Sequence, residues 1–410
     1  MDPRKAFASD SRYVPPVKGG NKKRTTKLPK DVVLAQKSVR KRTLTLGKVI
    51  RRCLLVLFTA VLAVVGSVFA LCHTIANGPS PTVRNLLVLS AMQASATKWV
   101  PGLFLEDDVV EKIVADSKVI QKDVISLKDY AASQKTEAPD ADSGETPIDE
   151  WANAQDGMQF HIINGANYKA YVLIVKDPSR VYVGTSSDYK SGEIGARIFD
   201  ITARDNAVAA INGGEFFDVG GQGTGDNPIG LTYSRGSCVW DDGYRRTFIG
   251  FDRDNKLVVA EKMTRTQADA LGIRDAVSFQ TGNVLIDHDG ENIQLYYADS
   301  NTGTAQRTAI GQRADGAVIL LVTDGRTASS LGATHNDVID IMVSYGAITA
   351  GMLDGGSSSM MYYEKYYTKY GMDESTLDQY QIRGLVNKYK AFTYPRRIPT
   401  YFMVDKEVQS

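Results

Sequence analysis

Two carboxylates in this chain each follow a short apolar segment and precede a glycine. Asp324 follows residues 318–322, and Asp354 follows residues 347–353. This is the pattern of an acidic side chain at the end of a β-strand, where the glycine lets the backbone turn sharply. Asp-Gly is also a common turn dipeptide, so either motif alone would more often be structural. Two acidic strand ends together indicate a candidate site whose carboxylates could act as nucleophile or base.

The segment between the two motifs predicts how they are positioned. Thr334 and Asp337 have the spacing of a helix N-cap with its partner three residues on, and Gly346 fits the end of that helix. The unit is therefore strand, Asp-Gly turn, helix, strand, Asp-Gly turn. A right-handed crossover of this kind places both carboxylates at one edge of a sheet, where open α/β sheets bind ligands.

Several ordered motifs resemble those of the phosphodiester glycosidases, the family of the enzyme that uncovers mannose 6-phosphate by removing N-acetylglucosamine from a phosphodiester. Bacterial relatives are often labelled exopolysaccharide-related. The resemblance covers about residues 157 to 405. It rests on the two Asp-Gly motifs and on Ala210-Ile-Asn-Gly-Gly-Glu-Phe216, Pro228-Ile-Gly230, Arg307-Thr-Ala-Ile-Gly311 and Arg383-Gly-Leu-Val-Asn387.

The resemblance implies hydrolysis of a sugar-1-phosphodiester, which needs a carboxylate for the cation-like sugar and positive charge for the departing phosphate. Asp324 and Asp354 are the predicted catalytic residues, with Glu215 as a further candidate. Guanidinium groups match phosphate bidentately, so three arginines are candidates for a phosphate clamp: Arg307, Arg326 and Arg383. The other predicted substrate-binding residues are Asn212, Gly213, Thr334, Gly355, Gly356, Ser357, Ser358 and Asn387.

Cysteine and histidine usage indicates neither disulfides nor a metal site in the domain. Cys238 is the only thiol after the apolar segment, and the four histidines lack metal-ligand spacing. An exported domain without disulfides suits a Gram-positive surface. We expect no cofactor, but a divalent cation held by the Asp-Gly turns, acting in a phosphodiesterase, stays open as an alternative. A non-catalytic glycopolymer-binding or assembly factor on the same fold is another.

Charge and hydropathy place the chain at a membrane. Residues 1–52 hold 16 lysines and arginines against three aspartates, a net charge of +13, and the remainder carries −12. Residues 53–76 are uncharged and long enough to span a bilayer. A secretory signal peptide is the rival interpretation, but the basic region is longer than is usual there. The positive-inside rule then predicts a cytoplasmic N-terminus and an extracellular domain. Residues 14–52 of the basic tail contain no aromatic side chain, which favours anionic lipid over nucleic acid as the partner of the tail.

The predicted organisation is a basic cytoplasmic tail (1–52), a transmembrane helix (53–76), an extracellular helical stalk (77–132), a linker (133–154) and the glycosidase domain (155–410). The 410 residues, of which 43% are hydrophobic, suffice for one large domain with accessory segments. The predicted fold class is α/β, a mixed sheet with flanking helices, preceded by the transmembrane helix and the stalk.

Overall fold

The computed structural model describes residues 46–92, 97–117, 120–134, 151, 154, 156–189, 194–218, 225, 227–298, 303–325, 327, 330–364, 366–387 and 394–406. Most of the predicted basic tail, most of the linker and the predicted domain start at Gln155 lie outside these residues. The chain divides into two compact units, residues 1–67 and residues 68–410.

The secondary-structure elements have these bounds. The helices are α1 (Leu46–Asn77), α2 (Pro81–Met92), α3 (Asp107–Asp116), α4 (Leu127–Gln134), α5 (Ile198–Asp205), α6 (Arg265–Leu271), α7 (His335–Ser344) and α8 (Tyr366–Lys369). The strands are β1 (Ile120–Ser126), β2 (Met158–Asn164), β3 (Lys169–Val175), β4 (Val181–Thr185), β5 (Ala209–Asn212), β6 (Thr232–Ser234), β7 (Ser237–Trp240), β8 (Thr247–Asp252), β9 (Leu257–Glu261), β10 (Ile273–Phe279), β11 (Val284–His288), β12 (Asn292–Ala298), β13 (Thr308–Arg313), β14 (Val318–Thr323), β15 (Ala347–Met352), β16 (Met361–Tyr363) and β17 (Thr400–Val404).

Helix α1 contains the whole predicted span of residues 53–76. Its large apolar side chains from Leu54 to Leu71 are exposed. By length and composition α1 can cross a bilayer, and a retained anchor and a signal sequence both meet that criterion. The helix is therefore consistent with either.

Helices α2 and α3 follow, with the 3₁₀ turn Pro101–Leu103 between them. They share a small core in which Leu89 and Ile113 are buried. Two short helices therefore follow the apolar helix.

Residues 120–134 correct the prediction of a helical stalk that reaches residue 132. Strand β1 pairs antiparallel with β12 at the edge of the largest sheet. On α4, the hydroxyl of Tyr130 donates to the carbonyl of Ala347 at 2.8 Å. A charged strand such as β1, with Lys122 and Asp123 in its middle, is typical of a sheet edge. Its pairing depends on a distant partner, as the register of Ile120 with Ala298, 178 positions later, shows.

Among the described residues, three antiparallel sheets build the domain. The largest has the order β1-β12-β11-β15-β13-β14-β3-β2, the second β7-β6-β10-β8-β9 and the third β16-β5-β17-β4. Strand β14 is buried along its whole length, and its neighbours β3, β13 and β15 are largely buried too. Strands β3 and β14 need apolar side chains on both faces, which explains their continuous hydrophobic sequences. The predicted mixed α/β fold is confirmed.

The crossover around the two Asp-Gly motifs has the predicted geometry. Strands β14 and β15 are both antiparallel to β13, which lies between them, so they run parallel to each other. Helix α7 connects them. It begins with a reciprocal capping box between Thr334 and Asp337, and Gly346 just beyond it has φ of +79°. Asp324 and Asp354 therefore lie at one edge of the sheet, as predicted, although the intervening β13 was not expected.

Candidate active site

The candidate site is built at the edge where β14 and β15 end and β13 begins. Asp324 follows β14 directly, Asp354 follows β15 after one residue, and Arg307 immediately precedes β13. Neighbouring strands lie about 4.8 Å apart, so the two acidic strand ends are separated by roughly 10 Å of sheet. Asp324 and Asp354 are therefore contacted by different neighbouring residues.

Asp354 is partly buried inside the glycine- and serine-rich turn that follows it. Burial raises the pKa of Asp354 from 3.8 to about 6. A hydrogen bond from the Ser358 hydroxyl and the charge of Arg396 oppose that shift, and the Gly355 amide donates to Oδ1 at 2.9 Å. At neutral pH this carboxylate is mostly ionised but is held in an environment that favours its protonated form.

Asn212 ties the turn to the third sheet. Its Nδ2 donates to the carbonyl of Asp354 at 2.6 Å. Its Oδ1 accepts from the hydroxyl of Thr308 at 2.7 Å and from the amide of Met360 at 3.1 Å. Asn212, predicted to bind substrate, is fully buried and has protein partners at both ends of its amide. The structure therefore assigns it to positioning Asp354.

Two glycines carry the chain from Asn212 to Glu215 through a space without room for side chains. A Cβ on Gly213 would lie 2.4 Å from Oγ1 of Thr400, and one on Gly214 would lie 2.2 Å from the carbonyl oxygen of Ser278. The carbonyl of Gly213 also accepts from the amide of Asp354 at 3.2 Å. Gly213 was predicted to bind substrate. The structure uses it to bring Glu215 to the Asp354 turn.

Glu215 is the second carboxylate near Asp354. Burial raises its pKa, and the charge of Arg246 opposes the shift. Nε of Arg246 lies 3.0 Å from Oε2 of Glu215, so the two side chains form an ion pair. The charge of Glu215 in turn raises the pKa of Asp354. A carboxylate from a distant segment therefore influences the ionisation of Asp354.

Arg396 is a site residue that the sequence interpretation missed. Its Nη1 donates to the hydroxyls of Ser357 and Ser358 at 3.1 Å and 3.3 Å, and its Nη2 pairs with Asp218. Its guanidinium also lies over the ring of Phe216. Arg396 stands outside the quoted motifs, close to the start of β17. Only its positive charge and its position shortly before a strand could have indicated a role in the site.

Asp324 has a different environment from Asp354. It is buried, and Oδ2 accepts from the hydroxyl of Tyr171 at 2.8 Å. The main-chain amide of Asp324 donates to the carbonyl of Lys169 at 2.8 Å. The main-chain carbonyl of Asp324 accepts from the hydroxyl of Ser330 at 3.0 Å. Burial raises the pKa of Tyr171, and the Asp324 charge adds to that shift. The hydroxyl–carboxylate pair joins the end of β14 to β3.

The guanidinium of Arg307 donates to main-chain carbonyls. Its Nε bonds Ala333 at 3.2 Å and its Nη2 bonds Gly303 at 3.1 Å. Burial lowers the pKa of nearby His335 to about 4, with a smaller contribution from the Arg307 charge. The predicted phosphate-clamp role of Arg307 therefore competes with its role in holding two loops together.

Three further predicted donors have intramolecular partners. The hydroxyl of Thr334 donates to Asp337 within the capping box. The amide of Gly355 donates to Asp354, and the amide of Gly356 donates to the carbonyl of Gln306 at 2.9 Å. Ser357 and Ser358 were also predicted to bind substrate. Their hydroxyls lie beside the guanidinium of Arg396.

The remaining predicted residues are spread more widely. Arg326 lies outside the described residues. The guanidinium of Arg383 stacks 4.1 Å from the centre of the Phe199 ring, away from the Asp354 turn's hydrogen bonds. Asn387 is buried. Its Oδ1 accepts from the amide of Met361 at 2.9 Å, and its Nδ2 donates to the carbonyl of Ser359 at 3.0 Å. Asn387 therefore fixes the backbone after the serine turn. Within the described part of the chain, no three His, Cys, Asp or Glu side chains form a group that could hold a metal ion.

Comparison with known proteins supports the family resemblance. Residues 205–404 match the sequence model of the phosphodiester glycosidase family. A curated relative, the uncharacterised prophage-derived protein YomE of Bacillus subtilis strain 168, is 26% identical over 201 residues. That match covers 47% of this chain and 28% of the relative, so the chain spans just over a quarter of the relative's length.

Two solved structures also resemble the chain. The zebrafish N-acetylglucosamine-1-phosphodiester alpha-N-acetylglucosaminidase catalytic domain, auto-inhibited by its pro-peptide, has a TM-score of 0.44 at 17% identity, covering 60% of this chain and 82% of that one. A putative exported protein of Burkholderia pseudomallei has a TM-score of 0.39 at 15% identity, covering 58% of this chain and 74% of that one.

Proposed function

Since residues 205–404 match the sequence model of the phosphodiester glycosidase family, we propose that this domain hydrolyses the bond between a sugar and the phosphate of a sugar-1-phosphodiester. The observation that carries the proposal is that two motifs, distant in the sequence, place their carboxylates near each other. The Asn-Gly-Gly segment delivers Glu215, and the Asp-Gly-Gly-Ser-Ser turn delivers Asp354, with Arg396 beside the serines.

Asp354 is the proposed nucleophile or base. The C1–O bond breaks and its electron pair leaves with the phosphate, while the sugar gains positive charge. An ionised carboxylate at C1 stabilises that charge, or accepts a proton from the attacking water. The pKa of about 6 leaves Asp354 mostly ionised at neutral pH yet basic enough to accept a proton.

Arg396, Ser357 and Ser358 are the proposed phosphate-binding groups. A guanidinium presents five N–H donors in a rigid plane, which suits a phosphate that gains charge as the C1–O bond breaks. The serine hydroxyls lie within 3.3 Å of Nη1, so one anion can contact all three groups. Phosphate is a good leaving group, so a strong general acid is not required.

Glu215 is the proposed second carboxylate. Its raised pKa suits a group that exchanges a proton during turnover, and the ion pair with Arg246 holds it in place. Because the charge of Glu215 raises the pKa of Asp354, protonation of one favours ionisation of the other.

Hydrolysis of a p-nitrophenyl sugar-1-phosphodiester by the full chain in H₂¹⁸O tests the reaction type. A glycosidase breaks the C1–O bond, so it releases p-nitrophenyl phosphate with no ¹⁸O on phosphorus, which ³¹P NMR resolves. A phosphodiesterase instead attacks phosphorus and labels the phosphate. Labelled phosphate would overturn the proposal, and so would the absence of turnover on a panel of sugar-1-phosphodiesters.

We place the substrate in a cell-surface or exopolysaccharide glycopolymer, with the protein anchored by residues 53–76 and the domain outside the cell. The exposed apolar surface of α1 and the +13 charge of residues 1–52 support this orientation. Protease added to wall-stripped whole cells is expected to digest the domain while the protein stays with the membrane fraction. A domain protected from that protease would contradict the orientation.

A further inference from the structure

A short segment after α2 packs on the outer part of the apolar helix. The ring of Phe104 lies 5.0 Å from that of Phe69 and 6.4 Å from that of His73, centre to centre. Phe69 is seven residues before the end of the predicted span, which corresponds to about 10 Å of helix. If residues 53–76 cross a bilayer, a side chain that contacts Phe69 lies at the depth of the lipid headgroups or below.

The same segment presents large apolar side chains to its surroundings. Trp99 is 65% exposed and Leu103 is 53% exposed, beside the partly buried Phe104. Tryptophan is enriched where a protein meets the membrane–water interface, because its ring is apolar and its N–H is polar. Lys98 next to it is exposed and long enough to keep its charge in the headgroup layer.

A continuous set of contacts leads from this segment to the candidate active site. The C-terminal end of α2 packs tightly on Gly303, where a Cβ would lie 2.6 Å from the backbone of Leu89. Oγ of Ser90 accepts from the amide of Thr304 at 3.2 Å. The carbonyl of Gly303 in turn accepts from Arg307, which stands at the edge between the two acidic strand ends. Helix α2 has 12 residues and is therefore about 18 Å long.

We propose that residues 97–105 lie in the lipid surface through Trp99 and Leu103 and hold the carboxylate edge beside the bilayer, so that the substrate is a sugar-1-phosphodiester carried by a membrane lipid. The lipid contact stands on the ring contacts and exposures above. The substrate class rests on the proposed hydrolysis of a sugar-1-phosphodiester and places that bond on a lipid carrier instead of in a finished glycopolymer, because a site held one short helix from the bilayer meets lipid-linked sugars first.

Tryptophan quenching in vesicles tests the lipid contact. The full chain contains three tryptophans, Trp99, Trp151 and Trp240. One variant keeps only Trp99 (Trp151→Phe, Trp240→Phe), and its matched control keeps only Trp240 (Trp99→Phe, Trp151→Phe). In vesicles of phosphatidylcholine and phosphatidylglycerol with brominated acyl chains, we expect Trp99 emission to fall about twofold, since interfacial rings reach the acyl boundary. Trp240 emission is expected to stay unchanged.

Equal quenching of the two tryptophans, or none of either, would overturn the lipid contact. Quenching of neither, together with protection of Trp99 from soluble acrylamide, would indicate that a protein covers the segment instead.

A substrate comparison tests the second half of the proposal. In the double variant Trp99→Ser/Leu103→Ser, kcat/KM is expected to fall about tenfold for a lipid-linked sugar-1-phosphodiester displayed in vesicles, because the interfacial contact is lost. For a short water-soluble phosphodiester, kcat/KM is expected to be unchanged. The control Val239→Ser/Leu271→Ser removes two exposed apolar side chains elsewhere on the domain.

A parallel fall on both substrates, or no fall on either, would overturn the proposed substrate class. If the wild-type chain hydrolyses neither substrate, the proposed function itself fails, and the quenching experiment still decides the lipid contact. The two failures are thus distinguishable.

Discussion

The side-chain amide of Asn212 donates to the main-chain carbonyl of Asp354 at 2.6 Å, although 142 residues separate the two. This bond joins the end of β5 in the third sheet to the turn after β15 in the largest sheet. Because the other end of the amide accepts from Thr308 and Met360, Asn212 holds three segments in register. The position of Asp354 therefore depends on a buried residue that does not need to touch substrate.

Replacing this amide should destabilise the domain. In Asn212→Ala, three hydrogen-bonding groups lose their partner in a buried site, which we expect to cost about 2–4 kcal/mol in the free energy of unfolding. Urea denaturation measures this. Asn283→Ala, which removes an exposed amide bonded to Gln280, is the matched control and should cost much less. Equal stability of the two variants would mean that the Asn212 bonds contribute little.

The pH dependence of stability should reveal the partly buried carboxylate of Asp354. The pKa of Asp354 is raised from 3.8 to about 6 in the folded state, so the folded state binds this proton more tightly than the unfolded state. Its contribution to stability is thus present below about pH 4, is lost as pH rises to about 6 and stays lost above that.

Asp354→Asn cannot ionise and should therefore be more stable than wild type above pH 6, by at most about 3 kcal/mol. The difference should shrink toward pH 4. Thermal unfolding at pH 4, 5, 6, 7 and 8 provides the measurement. A stability difference between variant and wild type that does not change with pH would contradict the raised pKa.

The pH profile of kcat/KM should rise through about pH 6, because the proposed role of Asp354 requires its ionised form. The charge of Arg396 lowers this pKa, so Arg396→Gln should shift the rise to higher pH and weaken phosphate binding. Arg245→Gln, which removes an arginine paired with Asp241, serves as the control. An unshifted profile in Arg396→Gln would place Arg396 outside the site.

The two glycines before Glu215 should tolerate no side chain. In Gly214→Ala the new Cβ would meet the Ser278 carbonyl at 2.2 Å, a backbone atom that cannot rotate away. We expect a loss of about 2–3 kcal/mol or failure to fold, since overpacking forces the backbone to shift. Gly102→Ala, where the nearest atom is 3.9 Å away, should be nearly neutral. Similar yields and thermal midpoints for both would contradict the close packing.

Local patterns predicted those parts of the fold that local interactions determine. The capping box of α7 lies within four residues, Thr334 to Asp337, and its spacing is visible in the chain. The apolar segments that form β14 and β15 likewise predicted buried strands. Because the crossover rule is general, it also predicted that Asp324 and Asp354 would share a sheet edge.

Long-range pairings were not predictable in the same way. The charged residues of β1 do not indicate a strand until β12 supplies its partner. Arg396 carries no motif, and its place beside Ser357 follows from the position of β17 in the third sheet. Conversely, Thr334 and Gly356 were predicted to bind substrate, but the folded chain supplies acceptors for the Thr334 hydroxyl and the Gly356 amide.

Turnover of Asp354→Asn on a sugar-1-phosphodiester at pH 7 to 8 tests the central claim most directly. The substitution is nearly isosteric but removes the charge and the base. We expect kcat to fall by about a hundredfold or more, the scale of one positioned acid–base or electrostatic group. Over the same pH range the thermal midpoint should be equal to or above that of wild type. Near-normal turnover would show that Asp354 is a turn residue and that the chemistry lies elsewhere.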